Sequence, residues 1–244
     1  MTVKEMIESG KPLKVSFEKK LEIATDPDYR KMNMQGGGTN GKYGYFIMNE
    51  CGSDNVRSII HKVDLESWET VATARDFYFG HANDIAFDTV NNRMIVSHCG
   101  PKISIFNPDT LELIEQTTVP TPHYALAYNK TRGIYVAGKS LCYDFALLDE
   151  NFNQLGEFRG EIGYTKQGIE CDDDYIYVFH SRKNANCLWI YDWCGALKAR
   201  IDIDLPHESE HLFVHGDHFI AGFFNHAPDK RVGEIYEMRL SIED

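Results

Sequence analysis

A repeat of about 43 residues runs through this chain five times, and it constrains the fold more than any local pattern. Its clearest copies are QGGGTNGKYGYF, from Gln35, and QGIECDDDYIYV, from Gln167. Both open on Gln-Gly, cross a polar turn and continue as Tyr-x-Tyr. Further copies begin at Asn83, Tyr124 and Glu210, so the anchors are spaced 48, 41, 43 and 43 residues apart. A constant period of this size indicates a solenoid, a propeller or an array.

Each copy holds two apolar runs joined by a tight turn, which predicts a hairpin. The turns are Asn40-Gly41, Asp88 to Arg93, Asn129 to Gly133, Asp172 to Asp174 and His215 to Asp217. Asn, Asp and Gly suit them because they tolerate the left-handed backbone of tight turns. A second hairpin follows in four copies, with Asp64, Asn107, Asp149 and Asp192 at its turn, 43, 42 and 43 residues apart. Two series in phase predict a four-stranded unit.

The last copy is cut short after a third strand, GEIYEMRLSIED. Residues 13–24, LKVSFEKKLEIA, precede the first copy and can supply the missing outer strand. Such closure removes exposed sheet edges. The expected fold is therefore all-β: a five-bladed β-propeller of four-stranded antiparallel blades, one domain over residues 1–244. The alternative is a linear array with free ends. Residues 1–12 read as a short N-terminal helix or arm, opened by a Thr2 to Glu5 capping box and stopped by Gly10.

No stretch reaches the ~18 apolar residues of a membrane span, and the N-terminus lacks a signal-peptide core. A cytoplasmic chain is expected. Its cysteines, at 51, 99, 142, 171, 187 and 194, form no Cys-x-x-Cys pair and are expected as free thiols. A Cys51–Cys99 disulfide is the lesser alternative. Asn129-Lys-Thr131 is a glycosylation sequon, silent in a chain that is not secreted. The net charge of −12, with no basic cluster, argues against nucleic acid and anionic membranes as partners.

Two motif matches fail on context. Gly36-x-x-x-x-Gly41-Lys42 approaches a phosphate-binding loop, but Tyr43 stands where Ser or Thr is needed, and a strand follows instead of a helix. His207-Glu208-Ser209-Glu210-His211 matches His-Glu-x-x-His. Extended backbone would hold those histidines ~13 Å apart, too far to share a metal as a helix turn allows.

In a propeller the first strand of each blade starts on the face where the second strand ends. These positions gather Gln35, His81, Asn83, His123, Tyr124, Lys166, Gln167, Glu170, His180, Arg182, Glu210 and His211, with seven of the ten histidines. Imidazole is both a proton carrier and a common metal ligand. The expected catalytic set is His123 or His180 as base, Tyr124 as acid, and Glu170 and Glu210 as carboxylate partners or ligands of one divalent metal ion. Lys166 and Arg182 are expected to hold an anionic group of the substrate. Gln35, His81, Asn83, Gln167 and His211 complete the binding set.

The strand-turn-strand pattern of HANDIAFDTVNNRMIVSHCG and ISIFNPDTLELIEQTTV resembles propellers of the NHL and YVTN type, the broad group of virginiamycin B lyase and gluconolactonase-like enzymes. Those groups usually have more blades. Their metal sites commonly use Glu, Asn, Asp or His at the channel mouth, chemically similar to Asn83, Glu170 and Glu210. The resemblance implies the fold, and no catalytic motif carries over residue by residue. The functional expectation is a lyase or hydrolase acting on a small polar or carbohydrate-like ligand. The alternative is a non-catalytic propeller scaffold that binds a ligand or a partner protein.

Overall fold

A computed structural model describes residues 1–52, 56–139, 143–161, 165–182, 185–228 and 230–243; Cys142 lies outside them. It is a five-bladed β-propeller. Helix α1 (Val3–Glu8) comes first, followed by strand β1 (Leu13–Ala24). Blade one is β2 (Met32–Thr39), β3 (Tyr43–Glu50), β4 (Arg57–Asp64) and β5 (Thr70–Tyr78). Blade two is β6 (Ala82–Asp88), β7 (Arg93–His98), β8 (Gly100–Phe106) and β9 (Leu113–His123). Blade three is β10 (Ala125–Asn129), β11 (Ile134–Gly138), β12 (Asp144–Leu148) and β13 (Gln154–Arg159). Blade four is β14 (Thr165–Cys171), β15 (Tyr175–Arg182), β16 (Ala185–Asp192) and β17 (Leu197–Ile203). Blade five joins β18 (Glu208–His215), β19 (His218–Asn225) and β20 (Val232–Ile242) to β1.

β1 pairs antiparallel with β20 along its length, from Leu13 opposite Ile242 to Ala24 opposite Val232. The head of the chain thus closes the last blade, as the truncated fifth repeat predicts. Phe17 of β1 packs edge-on against Phe223 and Tyr236, which fastens the added strand to the blade core. The capping box forms as expected: Thr2 Oγ1 accepts from Glu5 N–H, and Glu5 Oε2 accepts from Thr2 N–H at 2.8 Å. Met6 and Ile7 of α1 are buried against blades four and five.

The repeated turn residues act through one bond pattern. Asp64, Asn107, Asp149 and Asp192 each accept two backbone N–H groups with the Oδ1 oxygen, folding the outer hairpins. Asn40, Asp88 and Asp172 do the same in the inner hairpins. Asn129 serves its turn through Arg132 N–H, and its amide nitrogen donates to Asp172 O. The sequon asparagine is therefore buried. Lys42 lies on a hairpin turn over the Tyr43 ring, so the Gly36 to Lys42 match opens no helix.

The first strands β2, β6, β10, β14 and β18 contact one another in order around the axis. Their crowding explains the Gln-Gly repeat. A Cβ on Gly36 would lie 2.6 Å from the Asp84 Cα, and one on Gly168 would lie 2.6 Å from the His211 Cα. Each glycine faces the first strand of the following blade, where only hydrogen fits. Asp84, fully buried, spans the axis. Its carboxylate accepts from its neighbour Ile85 N–H at 3.0 Å, from Leu126 N–H of β10 at 3.2 Å and from Ile169 N–H of β14 at 3.1 Å. Burial pushes this carboxyl well above its usual range, while the three backbone donors favour the charged form.

The cysteines at 51, 99, 171, 187 and 194 are free thiols. Among the described residues, no helix is long and apolar enough to cross a membrane.

Gly36→Ala is expected to lower stability by roughly 1–3 kcal/mol in urea unfolding, because backbone must move to admit the methyl group. Gly156→Ala is the control: it lies in an outer strand, where the nearest atom to an added Cβ is 4.0 Å away. It should change stability by less than about 0.5 kcal/mol. Equal effects at the two glycines would contradict the crowding.

Candidate functional site

Four first strands carry a β-bulge near their start. The registers shift between Met34 and Gly37, Ala82 and Asp84, Lys166 and Ile169, and Ser209 and His211. The residues left out of the ladder include Gln35, Asn83, Gln167 and Glu210, four of the five repeat anchors. A bulge re-aims the side chain it releases, and here the released side chains meet across the ring. Gln35 Nε2 donates to Glu210 Oε2 at 3.3 Å, across 175 positions of sequence. Gln167 Nε2 donates to Glu208 Oε1 at 3.2 Å. His226, just past the end of β19, shares a 2.6 Å bond between its Nε2 and Glu208 Oε2.

Glu208, Glu210 and His226 each bring one donor atom within 4.8 Å of the others. Glu210 is 2% exposed, and its Oε1 has no hydrogen-bond partner among the described residues. Asn83 is 5% exposed, and its Nδ2 is likewise unpartnered. Burial, with Glu208 beside it, pushes the Glu210 carboxyl well above the usual range. His81 stands exposed at the same mouth, near Asn83. Next to this cluster a cavity of about 370 Å³ is lined by Asn33, Gln35, Asn49, Cys51 and His81, among others. Glu50 also borders it, but the Arg57 guanidinium holds that carboxyl down to about 2.

A larger cavity, about 530 Å³, opens at the hairpin-turn end of the ring. Its polar walls are occupied by turn geometry: Asn40 serves the Tyr43 backbone, Asn129 the Asp172 carbonyl, and Asp172 the Tyr177 hydroxyl. The mouth keeps buried polar atoms in reserve, so it is the better candidate site.

The expected site residues divide sharply. Gln35, His81, Asn83, Gln167 and Glu210 come together at the mouth. Glu170 does not. It lines the larger cavity, where its carboxylate accepts from Cys171 N–H at 2.8 Å and more loosely from Val214 N–H, and burial raises it to about 7. Lys166 is fully buried. Its ammonium donates to the Asp144 carbonyl at 3.0 Å and sits 4.3 Å from the Phe145 ring centroid, so it points into blade three. His123 is fully buried, bonded through Nδ1 to the Thr121 carbonyl and stacked on Phe152. His180 is fully buried against Trp189 at 4.3 Å. His211 bonds the Gln35 carbonyl at 2.6 Å and lies between Gly37 and Gly222, and burial lowers it to about 4. Tyr124 is half-buried, and its backbone pairs with Gly138. Arg182 lies exposed at the end of β15.

Glu208 was not anticipated as a site residue, and His226 was expected on this face as one of its seven histidines but without a role. The signal for Glu208 lay inside the rejected His-Glu-x-x-His match. Read as strand, Glu208-x-Glu210 puts two carboxylates on one side at a spacing of two. The flanking histidines turn elsewhere: His207 bonds Glu234 at 2.7 Å and His211 bonds Gln35 O.

No protein-family model matches this chain, and no curated protein matches it either. Among solved structures it is similar to the Myxococcus xanthus glutaminyl cyclase, with a TM-score of 0.66 and 14% identity over 96% of this chain and 100% of that one. It is also similar to the RRP9 WD40 repeats, with a TM-score of 0.53 and 8% identity over 92% and 100% of the two chains. At these identities the likeness establishes the propeller fold, shared by an enzyme and by WD40 repeats.

Glu170 gives a pH test. Its carboxyl is raised in the fold, so its contribution is fully present below the unfolded value near 4.5 and is lost as pH rises through about 7. Glu170→Gln should therefore gain on the parent as pH rises, by on the order of 1–3 kcal/mol at pH 8 relative to pH 4.5. Urea unfolding at both pH values measures this. A pH-independent difference would contradict the burial of that carboxyl.

Proposed function

We propose that this propeller is an enzyme acting on a small, amine- or amide-bearing polar substrate at the channel mouth. The observation that carries this reading is the convergence of Glu208, Glu210 and His226 beside two buried polar atoms, Glu210 Oε1 and Asn83 Nδ2, that have no partner among the described residues. A buried donor or acceptor left unsatisfied costs about 1–3 kcal/mol, and a ligand that satisfied both would recover that cost on binding. The cavity of about 370 Å³ beside them is of a size that suits a small molecule.

Charge selects the substrate. The cluster brings two carboxylates to the mouth, and the lysine expected to hold an anion is turned into blade three. An ammonium or a neutral amide fits this lining; a carboxylate or phosphate does not. Gln35, Asn83 and Gln167 offer both donors and acceptors to an amide or a hydroxyl group.

The chemistry that suits the lining is acyl transfer at an amide. The attacking nitrogen or water adds to the carbonyl carbon, the carbon–nitrogen bond of the amide breaks, and ammonia leaves with a proton carried over from the nucleophile. Mouth carboxylates and the exposed His81 are the groups available to carry that proton. The similar cyclase is named for ring closure of a glutaminyl group, which carries such an amide. Hydrolysis is the same step with water as nucleophile.

The test is ammonia release from peptides with an N-terminal glutamine and from small primary amides. Glu210→Gln and Glu208→Gln are each expected to lower kcat/KM by ~10²-fold or more, with the fold intact by circular dichroism. No turnover of any such substrate, or full turnover by both variants, would overturn the reading. Tight binding without turnover would favour a binding propeller.

A further inference from the structure

We propose that Glu208, Glu210 and His226 form a binding site for one divalent transition-metal ion, zinc or manganese in preference to calcium or magnesium. The inference rests on the mouth being the functional site, and it adds the identity of a cofactor.

The geometry is that of a three-ligand site. The three donor atoms lie within 4.8 Å of one another. A cation about 2.0–2.2 Å from each donor needs donor separations of roughly 3–4.4 Å, so small side-chain rotations suffice. The donor set is two carboxylates and one imidazole. The imidazole nitrogen favours zinc over calcium and magnesium, which are taken up by oxygen, and the two carboxylates also suit manganese. Three protein ligands leave positions open for water or substrate, the arrangement of catalytic sites rather than closed structural ones.

A second observation points the same way. Glu210 is 2% exposed, yet its Oε1 has no partner among the described residues. An ionised oxygen in that position is costly unless a cation or donor meets it. The outer oxygens are already oriented, Glu210 Oε2 by Gln35 and Glu208 Oε1 by Gln167. Hydrogen bonds of this kind hold ligating carboxylates in place. His226 Nε2 is bonded to Glu208 Oε2, and metal uptake would replace that contact.

The site lies on different supports. Glu208 precedes the bulge of β18 and Glu210 lies in it, while His226 follows β19 and is 45% exposed. A cation would tie the first two strands of the closing blade together at the mouth. With the carboxylates serving as ligands, their charge would be neutralised, so the neutral amide rather than an ammonium would be the group taken up. His81 beside Asn83 remains as the proton carrier, and a cation held there would supply polarisation of the amide carbonyl or of a water.

The experiment is uptake of metal by chelator-stripped, full-length protein. Thermal shift and titration calorimetry are run with Zn²⁺, Mn²⁺, Ca²⁺ and Mg²⁺. The expected result is one Zn²⁺ or Mn²⁺ per chain and a Tm rise of roughly 5–10 °C at a hundredfold excess over Kd. His226→Gln, at a partly exposed position, should keep the metal-free Tm and weaken binding at least tenfold. Glu210→Gln should weaken it further. Absence of Zn²⁺ or Mn²⁺ uptake, or unchanged affinity in both variants, overturns the site. Metal uptake without turnover of any amide would overturn the enzymatic reading alone. Turnover by stripped protein that takes up no metal would overturn this site alone.

Discussion

Crowding at the axis governs this molecule. Five first strands share a ring so narrow that a methyl group at Gly36 or Gly168 would strike the backbone of the next blade. The strands accommodate one another in two ways. Glycine stands where they touch, and a bulge releases the residue just before the contact. Asp84 then ties β6, β10 and β14 through one carboxylate, a cross-axis bond possible only where strands lie this close.

The same accommodation builds the site. The bulges of blades one, two, four and five release Gln35, Asn83, Gln167 and Glu210 from strand pairing at the mouth. Side chains more than a hundred residues apart therefore meet without any loop insertion. Blade three has no such register shift in its first hairpin, and its anchor Tyr124 contributes only backbone pairing. The asymmetry leaves a polar rim of amides with the acidic cluster concentrated on blade five, next to the closure.

The architecture was legible in the sequence because it depends on period and turn chemistry. The anchor series gave the blades, Asp64, Asn107, Asp149 and Asp192 gave the outer turns, and the short fifth copy gave the closure by β1. The site was legible only in part. Strand polarity correctly grouped residues by face, but a face is wider than a pocket. His123, His180 and Lys166 sit at the right end of their strands, yet their side chains enter the packing between strands, against Phe152, Trp189 and Phe145. Glu170 lies farther down β14 than its anchor Gln167 and so reaches the other cavity. A histidine count could not distinguish buried imidazoles from open ones. Glu208 was hidden by a helical motif that the strand reading rejected, although strand spacing carries the same carboxylates to one side.

Ring closure and convergence at the mouth are joined in a single contact, Gln35 with Glu210, between the first and last blades. A double-mutant cycle with Gln35→Ala and Glu210→Ala, read by urea unfolding, measures that contact directly. The structure predicts a coupling energy within about 0.5–3 kcal/mol, as for groups in one hydrogen-bond network. Additive effects, with coupling indistinguishable from zero, would mean that these two anchors do not meet and that the mouth is not assembled as described.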